Sequence, residues 1–564
     1  MKILSSETGF SMSTDSVSFI FDSDRLPRQE NGHGVLTTAG RIPTPVIQPK
    51  DRLLLPIDEG MALTADAVYD QGEGDINRVE APFYSRPGAL CMIIIERNDQ
   101  FLLIMPHNAL HAGYTVWREN GLYQLHMHTK KETQVTYAIF DTLAEACHYY
   151  RNSREEEVAT LADKIKRNPA VEKLIGGGIF WVWSEHYDEV MYAERDTDLS
   201  PLTGDAMLRV ADALYRSGVD RAMFGIFFEG DSPMTEPLYT RYNYLTTQYD
   251  NYNDVMNPDM LKIIPGNRAR NCDYTARRMK DYPHGVQINE NGDMYGAWSI
   301  KGFDGNMHSQ NTLCPAVAVQ RIREEVPAIL QRFPFYKGRF LDVFGTKLTT
   351  CYSKDHPLTE EQCLKAKNDG FRALEEMGLI TGTEDGFDGI INHLVYAEGM
   401  HSPVYFRNKN SGRQHPHIYD AEQEAHIKRH MIDPTCRVPL WELCYHDAMM
   451  AFPYWGDSTD SSHALLRDKI LFAVLYGCPP LYSFYAKNFD RLKDDILESY
   501  QKISTVHRKV ALLPMTDFTA LTSDRLIQRS VFGDRYEVVA NFSDHAYRHD
   551  GFIVGAKDFL FREM

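Results

Sequence analysis

The sequence predicts a multidomain α/β protein in which a (β/α)8-type barrel stands between an N-terminal antiparallel β-sandwich and a small C-terminal β domain. Three observations carry that reading. Up to about Phe140 the text is β-like and no helix of convincing length interrupts it. From Gly176 to Leu512, apolar runs of strand length alternate with amphipathic helical stretches. The period then falls back to two from Arg525 to Asp544, around a Gly533-Asp534 turn. These changes divide the chain into a sandwich (1–141), a charged helical linker (142–175), the barrel (176–512) and a closing β domain (513–564).

In the first segment the strand-like runs are Val17 to Phe21, Arg52 to Ile57, Ala89 to Glu96, Gln100 to Pro106, Tyr123 to His128 and Gln134 to Phe140. Hairpin turns R-N-D-Q and E-N-G-L separate several of them. Three glycines, Gly176 to Gly178, precede the run I-F-W-V-W (Ile179 to Trp183). A phosphate cradle needs its glycines after a strand, so this is a flexible entry into the first barrel strand. Further strands are expected at Arg221 to Phe228, Asn243 to Gln248, Phe340 to Phe344, Leu379 to Thr383, Val438 to Asp447 and Pro480 to Phe484. Helices are expected at Gly204 to Gly218, Ala316 to Phe333, Leu358 to Met377, Ser462 to Tyr476 and Phe489 to Leu512. That makes about seven strands, with long irregular insertions at 249–312 and 391–437 that would form the rim of a barrel site.

A formal charge of −18 argues against a nucleic-acid or anionic-membrane partner, which would need a basic surface. An aromatic content of 12% suits both a large core and the stacking of rings on sugar faces. The opening M-K-I-L-S-S-E-T lacks an apolar leader, and the expectation is a cytoplasmic protein. Nine cysteines without a C-x-x-C fit reduced structural thiols, not a disulfide framework or a zinc site.

The chemistry centres on G-R-F-L-D-V-F-G-T (Gly338 to Thr346) and L-I-T-G-T-E-D-G (Leu379 to Gly386). Each is an apolar run that ends in a carboxylate with a glycine shortly after, and a helix joins the two. Acids leaving adjacent strands of a parallel barrel face one pocket, and two facing carboxylates are the apparatus of glycoside hydrolysis. Asp342 suits the nucleophile and Glu384 the acid/base; a loop-capping strand-end acid is the other reading of Asp342, and Asp385 and Asp388 compete with Glu384. The run Q-Y-D-N-Y-N-D (Gln248 to Asp254) offers Asp250 for sugar hydroxyls, or forms a polar turn. Trp298 lies in the rim insertion, either as a stacking ring or as a loop anchor. For His446, Asp447, Trp455 and Asp457, in W-E-L-C-Y-H-D and Y-W-G-D-S, hydroxyl binding, metal binding and strand-end structure are all open. His426 and His430 lack the glutamate of the zinc-protease pattern, and H-P-H (His415 to His417) supports only a secondary reading as a metal-dependent hydrolase.

Taken together, F-L-D-V-F-G-T, G-T-E-D-G, Q-Y-D-N-Y-N-D, V-P-L-W-E-L-C-Y-H-D and Y-W-G-D-S resemble the motifs of glycoside hydrolase family 129, the α-N-acetylgalactosaminidases, and of its relative family 101. The resemblance spans Trp181 to about Arg508 and implies retaining cleavage of α-linked N-acetylgalactosamine from Ser or Thr. By the same resemblance Asp342 is the nucleophile, Glu384 the acid/base, Asp250 the acid that reads the axial 4-hydroxyl and Trp298 the stacking platform. It also implies a calcium ion near the acetamido pocket, with no ligands assignable here. The substrate expected is a carbohydrate or small glycopeptide. An α-galactosidase or other α-hexosidase, and a catalytically silent carbohydrate-binding barrel, are the rival readings.

Overall fold

The computed structural model describes the whole chain except residues 66–77, 86–87, 185–202, 265–272, 402–418 and 453–457. Two antiparallel sheets, of three and nine strands, build the N-terminal region. The two hairpin turns form as their residues demand: Asn98, Asp99, Asn120 and Gly121 all have positive φ, at 50°, 56°, 51° and 79°. One expectation is corrected here. Tyr123 to His128 and Gln134 to Phe140 are not two strands but parts of one nineteen-residue strand, Leu122–Phe140. Its register shifts between Thr129 and Thr133, so the polar K-K-E run bulges instead of turning.

The linker folds into helices Leu143–Asn152 and Leu161–Arg167, each opened by a capping box (Thr142 with Glu145, Thr160 with Asp163), and a 3₁₀ turn, Pro169–Leu174. Lys164 turns inward and donates to the carbonyls of Ile391, Leu394 and Ala448 at 2.7, 2.8 and 2.6 Å. Burial pulls its pKa down towards about 7. Three carbonyls nevertheless need three N–H donors, which only the ammonium supplies, and this opposes its deprotonation.

Eight parallel strands follow: β1 (Gly178–Trp183), β2 (Ala222–Ile226), β3 (Leu245–Asp250), β4 (Gly338–Leu341), β5 (Ile380–Gly386), β6 (Tyr396–Met400), β7 (Met450–Phe452) and β8 (Leu481–Tyr485). Their order, β7-β6-β5-β4-β3-β2-β1-β8, is that of a nearly closed barrel. Among the described residues β7 and β8 share no ladder. Instead the segment after β7 laces the edge of β8: Thr459 N–H donates to the Leu481 carbonyl at 2.8 Å, and Asp460 accepts the Ser483 N–H at 3.0 Å.

Two of these strands, β6 and β7, were not expected. β6 lies in the stretch read as an irregular insertion, and the three residues of β7 are too few to show a period. Conversely, Val438 to Asp447 is not a strand. Its centre is a helix, Leu440–Tyr445, whose six side chains are all buried. A short segment that is apolar all round carries no periodicity to separate helix from strand. The 249–312 insertion is also more ordered than expected: Asp254–Val255, Met307–Thr312 and Gly296–Lys301 pair as a three-stranded sheet.

Alternation along the strands sorts the barrel into layers. Ile179, Trp181, Met223, Leu245, Phe340, Ile380, Tyr396 and Met450 share the interior cluster, while Phe180, Val182, Phe224 and Tyr482 pack outward with Met207 and Leu214 of helix Gly204–Arg216. Large rings fit inside because glycines face them. A Cβ on Gly382 would lie 2.0 Å from the Tyr396 ring, and one on Gly225 2.1 Å from Trp181. The C-terminal region is a four-stranded antiparallel sheet with a separate hairpin, and Gly533 and Asp534 make the expected turn with φ of 58° and 53°. It docks through Ser530, whose hydroxyl donates to the Leu475 carbonyl at 2.6 Å.

Candidate active site

Following the interior positions upward by twos places the polar groups. Phe340 leads to Asp342, Ile380 through Gly382 to Glu384, Tyr396 to Glu398, and Leu245 through Thr247 to Tyr249. One layer above the apolar plug, three carboxyls and a phenol therefore converge at the carboxyl ends of β3 to β6. Asp342 and Glu384 lie close enough for the charge of one to act on the other. Asn251 Nδ2 donates to Asp342 Oδ2 at 3.1 Å, and the Tyr249 phenol lies beside the same carboxyl. Burial, then the charge of Glu384, holds the Asp342 carboxyl well above the usual carboxylate range. Two buried carboxyls this strongly coupled cannot both ionise cheaply.

The backbone aims the two acids in the same way. The residue after each one sits in the left-handed region, Val343 at φ 45° and Asp385 at φ 62°. For a β-branched residue this is a strained conformation, costing on the order of 1–3 kcal/mol. The turn is held by Thr346, which donates its N–H at 3.1 Å and its hydroxyl at 2.7 Å to the Val343 carbonyl.

Glu398 is a member of this group that the sequence reading missed. It is paired in register with Glu384 on the neighbouring strand and accepts the Trp181 indole N–H at 2.9 Å. Burial, helped by the Glu384 charge, raises its pKa to about 8. Its signal was present: L-V-Y-A-E-G-M (Leu394 to Met400) is again an apolar run, an acid and a glycine. A consequence is measurable. Between the ordinary glutamate pKa and about 8 the folded state binds the extra proton, so stability falls as pH rises through that window. Glu398→Gln should remove this slope: from about pH 6 to 8.5 the Tm of the wild type should fall by about 2 °C or more in excess of the fall seen for Glu398→Gln. Equal losses would show that Glu398 is not buried as a neutral acid.

The other expected residues fall elsewhere. In Q-Y-D-N-Y-N-D the odd positions, Tyr249 and Asn251, turn to Asp342. The even ones turn to the helix side, where Arg339 Nη1 donates to Gln248 Oε1 at 2.7 Å and Arg339 Nε to Asp250 Oδ2 at 3.0 Å. Arg277 reaches the other Asp250 oxygen at 3.3 Å. Asp250 is 1% exposed, and these arginines outweigh its desolvation and hold its pKa far below the carboxylate range. This placement does not suit the expected reading of a sugar hydroxyl. Trp298 stands 42% exposed on the rim sheet.

His446 and Asp447 are corrected by position: they precede β7 and so lie at the amino ends of the strands, away from the acids. His446 faces the carbonyls of Leu513 and Gly477 at 2.7 and 3.2 Å, and Asp447 pairs with Arg151 of the linker at 2.5 Å. They join domains. Trp455 and Asp457 fall outside the described residues, but Asp460 just beyond them is buried, with a pKa raised to about 7 by that burial.

For the implied calcium, the described residues offer two converging groups of metal-ligand type, Cys314 with Cys351 and His356, and Glu537 with His549 and Asp550. The first is sulfur-rich. In the second, Glu537 is already engaged by Arg529 and Arg562, at 2.5 and 2.6 Å. Neither fits a calcium cage of oxygens.

Solved structures share this architecture. The α-N-acetylgalactosaminidase NagBb of Bifidobacterium bifidum superposes with a TM-score of 0.68 in its GalNAc complex, at 17% identity, covering 98% of both chains. Its ligand-free form gives 0.67 at 18% identity, over 96% of this chain and 97% of that one. A family 31 dextranase of Flavobacterium johnsoniae, complexed with glucose, gives 0.51 at 7% identity, over 100% of this chain and 71% of the other. No curated protein matches the sequence. The family model described as glycosyl hydrolases related to the family 101 enzymes, family 129, matches residues 239–531 of 564. That match takes in more than half of the sequence, from the helix before β3 into the C-terminal sheet, and the chain belongs to glycoside hydrolase family 129.

Proposed function

We propose that the protein is a retaining exo-α-glycosidase that releases terminal α-linked N-acetylgalactosamine from Ser- or Thr-linked glycopeptides or oligosaccharides. The observation that carries the mechanism is that Asp342 and Glu384 leave neighbouring parallel strands close enough for the charge of Glu384 to raise the Asp342 carboxyl. An inverting pair stands about 6.5–9.5 Å apart to admit a water, whereas a retaining pair stands about 5–5.5 Å apart. Acids close enough to couple electrostatically suit the shorter of these separations.

Asn251 Nδ2 donates to Asp342 Oδ2 at 3.1 Å, besides Asp254 Oδ2 at 3.0 Å, and a fixed donor at Asp342 suits the attacking carboxylate, with Glu384 as the acid/base. In the first step Asp342 attacks the anomeric carbon as the bond to the leaving oxygen breaks, and Glu384 passes its proton to that oxygen. In the second, Glu384 takes a proton from water, the hydroxide oxygen replaces Asp342 at the anomeric carbon, and the carboxylate is released. Glu398, neutral at pH 7, sets a hydrogen-bonding wall beside Glu384 without adding a charge.

The specificity rests on likeness to NagBb, a protein described with GalNAc bound. Initial rates on nitrophenyl α-N-acetylgalactosaminide and α-galactoside, run side by side, test it. The expected result is turnover of the first at a kcat/KM at least about 100-fold higher, since an unfilled acetamido pocket leaves buried polar groups unpaired. Faster turnover of the galactoside would move the specificity, and no turnover of any α-hexoside would overturn the enzymatic reading.

A further inference from the structure

Cys314, Cys351 and His356 each offer one ligand atom, and the three lie within 4.8 Å of one another. They reach that point from separate elements. Cys314 is the N-cap of helix Pro315–Arg332. Cys351 and His356 belong to the rim loop that follows Asp342, a loop closed by paired bonds between Cys351 and Leu358, N–H to carbonyl at 2.8 and 3.0 Å.

One edge of the group has the length a tetrahedral metal site requires. Cys351 Sγ lies 3.5 Å from His356 Nδ1. A tetrahedral zinc with Zn–S of about 2.3 Å and Zn–N of about 2.0–2.1 Å sets that edge at about 3.6 Å. The other ring nitrogen is committed: His356 Nε2 is 2.7 Å from the His284 carbonyl, with the Ser353 hydroxyl at 3.3 Å. A nitrogen facing a carbonyl carries the proton, so the Nδ1 lone pair is turned towards the sulfurs, as in ligating histidines. Cys314 Sγ in turn lies 3.6 Å from the His356 carbonyl, which brings the third ligand atom against the same loop.

We propose that Cys314, Cys351 and His356 bind a thiophilic divalent cation of the zinc class, with solvent at the fourth corner. Bound there, the ion ties the loop leaving the nucleophile strand to the first turn of helix Pro315–Arg332 and, through the His284 carbonyl and the Tyr352 N–H to Ile288 carbonyl bond of 2.8 Å, to the rim insertion. Its role is to hold the rim over the site; it takes no part in bond cleavage. The C-x-x-C rule overlooks this set because Cys314 is remote in sequence from its partners.

The test is metal content of the full-length protein purified with its thiols reduced, offered zinc and then dialysed. The expected result is about one zinc per chain, and, on replacement by cobalt, the intense visible bands of a tetrahedral thiolate site. Cys351→Ser and His356→Gln should weaken zinc binding by more than the ~10–100-fold that loss of an outer-shell partner costs. His356 is only half-buried, so its variant keeps the fold and serves as the check if Cys351→Ser does not. Failure of the reduced wild type to retain zinc would overturn the proposal. So would a Cys314 to Cys351 disulfide in protein prepared without oxidant, or variants that retain zinc as well as the wild type.

Discussion

Asp342→Asn will lower kcat on nitrophenyl α-N-acetylgalactosaminide by on the order of 10⁴-fold, equivalent to about 5 kcal/mol of lost transition-state stabilisation, with the fold intact. The amide cannot form the glycosyl-enzyme, yet its oxygen keeps acceptor capacity for Asn251, so that hydrogen bond survives. Glu384→Ala will behave differently. A nitrophenolate leaves without protonation, so the first step persists and the second, which needs a base, becomes slow. Azide needs no base, and it should restore turnover of Glu384→Ala by about 10²-fold or more, within the range ascribed to a positioned acid/base. The product identifies the roles: α-glycosyl azide from Glu384→Ala, after two displacements, and β-glycosyl azide from Asp342→Asn, after one. Reversed anomers would exchange the two assignments. α-Azide from neither would leave the pair without a double-displacement role.

Asp250→Asn is expected to act on folding first. It neutralises the carboxylate that compensates Arg339, which is 1% exposed and has no route to water. Removing one partner of a buried pair costs about 3–5 kcal/mol, whereas replacing both by apolar groups is often near neutral. Thermal melts should therefore show a lowered Tm for Asp250→Asn and substantial recovery in Asp250→Leu/Arg339→Met. If Asp250 instead reads the 4-hydroxyl, the single variant will keep its Tm and raise KM, and the double variant will not recover activity. The melt and the KM separate the two readings.

The acids at 342 and 384 were legible because the barrel writes them in a local code, an apolar strand that stops at a carboxylate beside a glycine. Glu398 carries the same code. It went unread because the stretch from 391 to 437 was taken as an irregular insertion, and the helix that follows, Ala421–His430, stands twenty residues beyond the strand. Asp250 shows a different limit. The composition of Q-Y-D-N-Y-N-D suggested hydroxyl recognition, but strand alternation sends its even residues to Arg339 and only its odd ones to the pocket. The arginines themselves give no local sign of their partners. His446 and Asp447 were misplaced because a six-residue apolar helix and a buried strand look alike in sequence, and that choice decides which end of the barrel a residue occupies.

The seam between β7 and β8 has a further meaning. Seven joints of the cylinder are zipped by ladders whose register is locked residue by residue, while the eighth is tacked, among the described residues, by Thr459 and Asp460. A ladder tolerates no slip, but a tack does, because its length is set by a connecting segment and not by strand geometry. Thr459 and Asp460 stand between β7 and helix Leu466–Tyr476, so this joint rests on two bonds from a stretch that is not itself a strand. A change at this joint would leave the seven ladders, and the strands that lead to the acids, in register.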